Sequence, residues 1–367
     1  MPSRRTLLTQ LAGIAGLLTT PSQAGLLRAS FANDSSAPLR VIAAERGIVY
    51  GSAVGSYELR DPVFAASLAH EAGILVAEYE MKRGVIEEVR GRYDFSGIDA
   101  LMAFAQAHGM AFRAHTLVWH HRNPDWLDAA VLAERDPALQ TGYIGAVMRH
   151  CKGRIKSWDV VNEAIAPDDG RTDNLRNTVW LQAFGPSYID MAFHAARSAD
   201  PTAQLVYNDW GCENSGDKHD RFRAATLDFL ERALARGVPI DALGLQGHLQ
   251  AFGPPIDQKK LREFLARVQQ MGLKILITEH DVDDSGGPSD IAARDQAVAD
   301  ASRRFLEVVL DNSATEAVLT WGLSDRFLKP SGWRETLAGY SPRTLPLDAD
   351  MQRTPMWHAM ARVLATA

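Results

Sequence analysis

The chain has 367 residues, 46% hydrophobic and 23% charged, the proportions of an ordinary water-soluble protein with a sizeable core. Its formal net charge of −6 and pI near 6.0 provide no global basic field, which excludes recruitment of nucleic acid or an anionic membrane by bulk charge. Eight tryptophans offer platforms for sugar rings, but cores use tryptophan as well, so their number decides nothing alone.

At the N-terminus, Ser3-Arg4-Arg5-Thr6-Leu7-Leu8 precedes an apolar stretch from Leu11 to Leu18, then Pro21-Ser22-Gln23-Ala24. A charged start, a short apolar region and a small-residue cleavage site make an export signal, and the apolar part falls short of the ~20 residues that span a bilayer. The paired arginines followed by leucines resemble a twin-arginine signal, with a general secretory signal as the alternative. The expected organisation is a signal over 1–24 cleaved after Ala24, an Ala- and Ser-rich tail or linker over 25–45, and one catalytic domain over 46–367. The expected location is therefore periplasmic or secreted, with no membrane partner, since no second apolar segment approaches spanning length. Cys151 and Cys212 are the only cysteines. An exported pair can bridge, but a twin-arginine substrate folds before export and neither cysteine sits in a Cys-x-x-Cys arrangement, so two free, partly buried thiols are expected.

From about Gly47 the pattern becomes regular. Strand-forming runs lie near 48–54, 74–78, 110–118, 155–161, 204–208, 242–247, 274–279 and 316–321, with helical periodicity between them. Asp200-Pro201 ends the helix before the 204–208 run. A helix follows His219 with Phe222, Leu227, Leu230 and Leu234 apolar. Ser289 is the expected N-cap of another, carrying Ile291, Val298, Phe305, Leu306, Val309 and Leu310. Alternating strands and helices predict an α/β fold with a parallel sheet, closed as a single (β/α)8 TIM barrel. An open doubly wound sheet would bring a Gly-rich nucleotide loop after the first strand, and Gly51-Ser52-Ala53-Val54-Gly55 is not one.

Two runs carry the chemistry: Trp158-Asp159-Val160-Val161-Asn162-Glu163 and Ile275-Leu276-Ile277-Thr278-Glu279-His280-Asp281. Each is β-forming and ends in acidic and amide side chains, as barrel strands do where they deliver reactive groups. Cleaving a glycosidic bond needs a proton for the leaving oxygen and a group to meet the oxocarbenium charge, which two carboxyls in different environments supply. The fourth and seventh strands open onto one face, so Glu163 and Glu279 qualify. Asn162 is placed to bond a sugar hydroxyl, and His248 and Asp281 to hold Glu279 ionised. A lone strand-end glutamate is more often structural, whereas several such ends with matched polar groups point to catalysis. His115, taken alone, reads as a satisfied buried histidine. His115, His120 and His121 lack the helical H-E-x-x-H register, and no metal is expected. Trp158 and Trp180 read as packing, and Arg303-Arg304 as a solvated helix face.

Further segments complete a pattern: Glu78-Tyr79-Glu80-Met81-Lys82, His115-Thr116-Leu117-Val118-Trp119-His120, Tyr207-Asn208-Asp209, Gly244 to His248, and Trp321-Gly322 with Ser324-Asp325. With the two glutamate runs, these make residues 47–360 resemble the glycoside hydrolase family 10 endo-xylanases. The resemblance implies a retaining double displacement on β-1,4-xylan, with Glu163 as acid/base and Glu279 as nucleophile. It implies that Asn162 contacts the 2-hydroxyl, that His248 and Asp281 support the nucleophile, and that His115 and Trp119 line the subsite next to the scissile bond. Asn208 and Gln246 would lie near the sugar, Trp321 and Trp333 would wall the cleavage point, and Glu78, Tyr79 and Lys82 would meet the second glycone sugar. No cofactor is implied. The partner is a polysaccharide or oligosaccharide, and a monomer is expected.

Departures cluster on the glycone side. Tyr79 stands where the family has Asn, Arg83 where it has Trp, His121-Arg122 where it has Ser-Gln, and His280 where Leu is common. Strand alternation points His280 away from Glu279 and Asp281. Arg83 and Arg122 are either partners for an acidic sugar or solvent-facing. A family relative acting on another β-glycan, a decorated xylo-oligosaccharide or an aryl β-glycoside is the alternative reading. A non-catalytic carbohydrate-binding barrel is the third, and both glutamates with their supporting groups stand against it.

Overall fold

Each apolar run becomes a strand whose alternate residues face two different cores. In the computed structural model, which describes residues 37–328 and 341–366, these strands are β1 (Val49–Val54), β2 (Ile74–Ala77), β3 (Ala111–Val118), β4 (Ser157–Asn162), β5 (Gln204–Asp209), β6 (Ala242–Leu245), β8 (Lys274–Asp283) and β9 (Thr315–Thr320). All pair in parallel, in the order β6-β5-β4-β3-β2-β1-β9-β8, and a β6–β8 pairing closes the barrel. A short extra strand, β7 (His248–Gln250), pairs only with the upper part of β8, setting His248 beside Asp281. β8 itself runs past its expected end at 279 to Asp283. The expected export signal, most of the expected tail and Trp333 lie outside the described residues.

Leu75 and Ala77 of β2, Leu205 and Tyr207 of β5, and Ile275 and Ile277 of β8 pack outward against the helices. Ile74, Val76, Val206, Leu276, Ala317 and Leu319 fill the barrel interior instead. This two-sided burial is why the strands read as nearly continuous apolar runs.

The helices are α1 (Leu39–Ala44), α2 (Pro62–Glu71), α3 (Arg83–Ile86), α4 (Ser96–Ala107), α5 (Leu127–Glu134), α6 (Ala138–Cys151), α7 (Val179–Phe184), α8 (Ser187–Ala199), α9 (Asp217–Ala235), α10 (Gln258–Gln270), α11 (Ile291–Leu310) and α12 (Pro355–Thr366). Local chemistry sets several ends. Asp61 accepts from the Val63 and Phe64 amides ahead of Pro62. α8 stops at Ala199, where Asp200 leaves helical geometry, as the Asp-Pro pair predicts. The cap of α11 is Asp290, which accepts from the Ala293 amide, and not Ser289; Ile291 is exposed while Val298, Phe305 and Leu306 are buried. α9 starts at Asp217, ahead of His219, with Phe222 and Leu230 buried.

The tail expected over 25–45 ends earlier than predicted. Residues 39–44 form α1, whose Leu39 and Ala43 are fully buried. Glu71 accepts from the Leu39 amide, the Arg353 guanidinium and the Trp357 indole, tying α1 and α12 to α2. The Ala- and Ser-rich composition hid this helix, because its stability comes from tertiary contacts. Cys151 and Cys212 are free and fully buried, deeper than expected, and burial pushes both thiols up.

Candidate active site

Above the apolar layer the barrel interior turns polar. Arg113 and His115 of β3 and Asp159 of β4 point inward and are essentially unexposed. Asp159 accepts from Arg113 on one oxygen and meets His115 Nδ1 at 2.9 Å on the other. A buried carboxylate with two such partners has its charge compensated and fixes the imidazole's orientation. The His115–Thr116 peptide is cis. Irregularities in register follow in β3, β4 and β8, and they turn the last residues of these strands toward the mouth of the barrel.

Glu279 stands at that mouth. Its amide donates to the Gln246 carbonyl at 2.9 Å, and its Oε1 accepts from Asn208 Nδ2 at 2.9 Å. His115 Nδ1 lies 3.7 Å from Oε1 and His248 Nε2 lies 3.4 Å from Oε2. Burial by itself would push this carboxyl up, but His115, His248 and Lys82 together outweigh it and hold the pKa at about 2. Glu279 is therefore a carboxylate at neutral pH. Burial disfavours the charged form of His248, yet Asp281, 2.7 Å from its Nδ1, and Glu279 raise its pKa well above the ordinary value.

Glu163 follows the last residue of β4 with φ +58°, in the left-handed region that side chains rarely adopt. Its amide still reaches the Asn208 carbonyl at 2.9 Å. The turn aims its carboxyl at two amide donors: Asn162 Nδ2 at 3.1 Å and Gln246 Nε2 at 2.9 Å, both on Oε1. Asn208 Nδ2 also donates to Asn162 Oδ1 at 2.8 Å, so one hydrogen-bonded chain links Glu279, Asn208, Asn162 and Glu163. Thr278 Oγ1 donates to Asn208 Oδ1 at 2.7 Å and fixes its flip state. Gly244 makes room for this: a Cβ there would meet Asn208 Oδ1 at 2.3 Å.

Lys82 is buried beside this pair, its Nζ 4.7 Å from the Trp119 ring centre and 5.6 Å from that of Trp321. Burial lowers its ammonium to about 8, against the opposing pull of Glu279, Asp159, Glu163 and Glu78. Trp321 also packs edge-on to His115 at 5.4 Å. The structure thus brings together Glu163, Glu279, Asn162, Asn208, Gln246, His115, His248, Asp281, Lys82, Trp119 and Trp321. Trp333 lies outside the described residues.

Beyond Lys82, Glu78 interacts with the hydroxyls of both Tyr57 and Tyr79; burial first, and then the Glu80 charge, raises its pKa. The two phenol rings lie 6.4 Å apart and each residue is 43% exposed. Tyr57 is braced edge-on by Phe327. Arg83 is neither a sugar contact nor solvent-facing. It is buried, paired with Glu87 at 2.8 Å and placed 4.2 Å from the Tyr143 ring centre, between Trp126 and Trp180. The guanidinium so replaces an aromatic residue within an aromatic cage. Arg122 is exposed at φ +56°, and its charge acts on Tyr79. His280 is buried between the Gly247 carbonyl and Ser302 Oγ, both at 2.9 Å, facing Phe305; burial lowers its pKa to about 4. Trp158 and Trp180 are core residues.

On the opposite side, a cavity of about 500 Å³ opens from His248 and Asp281 toward Trp210, Lys218 and His219. Among the described residues no group of three or more His, Cys, Asp or Glu is arranged to hold a metal ion. Sequence reasoning missed Arg113, Asp159, Tyr57, Asp209 and Arg176. Asp159 lies inside the run that ends in Glu163, and its inward register was readable from strand alternation. Asp209 lies inside the Tyr207-Asn208-Asp209 segment, but its bond to the Ile165 amide, like the Arg176 bonds to the Glu163 and Ile165 carbonyls, depends on a turn that no local pattern announces.

The sequence model of glycosyl hydrolase family 10 matches residues 38–363. The chain is 32% identical over 332 residues to an endo-1,4-beta-xylanase B of Thermotoga neapolitana, covering 89% of this chain and 91% of that protein. It is 35% identical over 294 residues to the exoglucanase XynX of Acetivibrio thermocellus, covering 75% of this chain but only 26% of that relative's length. The solved structure of native xylanase 10B from Thermotoga maritima superimposes with a TM-score of 0.78 at 30% identity, over 89% of this chain and 98% of that one.

Proposed function

We propose, since the chain belongs to glycosyl hydrolase family 10, that it is an endo-1,4-β-xylanase acting by retaining double displacement. The observation that carries this reading is the pair of unequal carboxyls: Glu279 held ionised by His115, His248 and Lys82, and Glu163 held by amide donors on the same hydrogen-bonded chain. Glu163 gives its proton to the glycosidic oxygen as that bond breaks, and Glu279 forms an ester with the anomeric carbon. Water then attacks that carbon while Glu163 takes its proton, and the ester bond to Glu279 breaks. Lys82, Trp119 and Trp321 line the glycone side, and the cavity beyond His248 and Asp281 receives the leaving sugars. The arginine pair and apolar stretch at the N-terminus support export.

The test is product analysis of residues 25–367 on β-1,4-xylan, xylo-oligosaccharides and mixed-linkage β-glucan, with Glu279→Gln as control. Release of short xylo-oligosaccharides with retained anomeric configuration, absent in the control, is expected. Silence on xylan with turnover of another glycan would move the assignment to a second reading, a relative with altered glycone subsites. The Tyr57–Tyr79 pair around Glu78 favours that reading. Binding without turnover would make the barrel a carbohydrate-binding protein.

A further inference from the structure

Glu163 aims its carboxyl correctly only because its backbone adopts φ +58°, so whatever holds that turn bears on the chemistry. The segment leaving the turn, 164–166, pairs antiparallel with the returning segment 174–176. Ile165 bridges Leu175, the Ala166 amide donates to the Asn174 carbonyl at 2.8 Å, and the Arg176 amide donates to the Ala164 carbonyl at 2.7 Å. From this returning segment the Arg176 side chain reaches back over the turn. Its Nε donates to the Glu163 carbonyl at 2.7 Å and its Nη2 to the Ile165 carbonyl at 3.2 Å.

These two carbonyls need a donor. A left-handed residue rotates its peptide out of the strand ladder, and a polar group turned inward without a partner is costly. Ala164 and Ile165 are buried, which limits rescue by water. On the other side of the turn, Asp209 Oδ2 accepts the Ile165 amide at 3.1 Å and also binds the Tyr207 hydroxyl, while its Oδ1 takes the Trp210 amide at 2.9 Å. Ile165 is thereby gripped at both of its backbone polar groups, and Glu163 is the residue just ahead of that grip.

We propose that Arg176 is a positioning residue for the acid/base step: it fixes the left-handed turn that keeps the Glu163 carboxyl on Asn162 and Gln246. Both of its bonds go to main-chain oxygens, so it acts through the backbone of Glu163 and never touches the substrate. A fork with two donors in one plane suits two carbonyls two residues apart, and a lysine ammonium serves only one of them well. The assignment rests on the reading of Glu163 as the proton donor.

The experiment compares kcat/KM of the wild type, Arg176→Gln and Arg176→Lys on xylotetraose, whose leaving sugar needs a proton, and on 2,4-dinitrophenyl β-xylobioside, whose leaving group does not. General-acid assistance is worth roughly 10² to 10⁴ in rate, so Arg176→Gln is expected to lose about 10²-fold on xylotetraose and less than about threefold on the aryl substrate. Azide, which replaces a base-activated water, should accelerate kcat of that variant on the aryl substrate and leave the wild type unchanged. Arg176→Lys should show the same split at smaller amplitude, and it carries the test if Arg176→Gln does not fold. Equal losses on both substrates, or no loss, would overturn the assignment of Arg176 alone. A wild type that turns over neither substrate would overturn the underlying reading and this assignment with it.

Discussion

Asn208 donates to Glu279 at 2.9 Å and, from the same amide nitrogen, to Asn162 at 2.8 Å. Strand β5 thus holds the end of β8 in register with the end of β4, and the two carboxyls are set relative to each other by one side chain. Removing that amide should cost about 10- to 100-fold in kcat/KM on xylo-oligosaccharides, since a hydrogen bond to a charged group is worth ~1.5–3 kcal/mol. The measurement is steady-state kinetics of Asn208→Ala beside its melting temperature. A loss below about threefold in a folded variant would show that the chain of amides is not what aligns the pair.

The low pKa of Glu279 depends on a neighbour that is itself protonated. Burial opposes the charge on both groups, but Asp281 keeps His248 in its cationic form, and His248 with His115 and Lys82 keeps Glu279 at about 2. A carboxylate is lost as pH falls through its pKa. His248→Gln removes one cation, so the acidic limb of the kcat/KM profile should move up by about 1 pH unit or more. An unmoved limb in a folded variant would mean that another group sets it.

Asp325 should make the fold less stable as the solution becomes more alkaline. Burial raises its carboxyl to about 8, with the Thr344 and Leu345 amides on Oδ1 and no partner for Oδ2 among the described residues. The folded protein therefore keeps a proton that an unfolded chain, at an ordinary pKa of ~3.9, has released. Stability falls as pH rises through the window between those two values and is independent of this group below it. Asp325→Asn keeps the acceptor and cannot ionise. Its melting temperature relative to wild type should climb by about 2 °C or more per pH unit between about pH 5 and pH 8. A constant difference across that range would exclude a titrating Asp325.

Tyr79 tests the glycone side. With Tyr57 it surrounds Glu78, whose carboxyl would otherwise face the cleft beyond Lys82. Tyr79→Asn should release Glu78 from one phenol and shift the bond-cleavage frequencies of xylopentaose toward products with a longer glycone. Leaving a charged acceptor one donor freer is worth about 1 kcal/mol, or roughly fivefold in the ratio of products. The same product pattern in both proteins would remove Tyr79 from substrate recognition.

Strand positions, barrel class and the two glutamates were legible because each is a local pattern. A β-forming run that stops at Asn162-Glu163, or at Glu279, needs no partner to be recognised. Burial was misread wherever polarity and location diverge. Arg83 read as either a partner for an acidic sugar or a solvent-facing cation, and is enclosed by Tyr143, Trp126 and Trp180, with Glu87 offsetting its charge. The segment over 39–44 looked like tail and became a docked helix through Glu71 and Trp357, which lie far along the chain. His280 is the counterexample: strand alternation alone turned it away from the cleft, and it is a core histidine on Ser302.

The sequence by itself determined the succession of the strands, the residue types at their ends and the family pattern, since these follow from periodicity and from side-chain type at short spacing. Only the tertiary structure decided the surroundings of each carboxyl. Glu163 and Glu279 are the same residue type at similar strand ends. They differ because one is ringed by His115, His248 and Lys82, while the other is turned by its own backbone onto Asn162 and Gln246. The ionisation of Glu279 is set by burial and by charges a few ångströms away, and closure of the barrel is what brings those charges near.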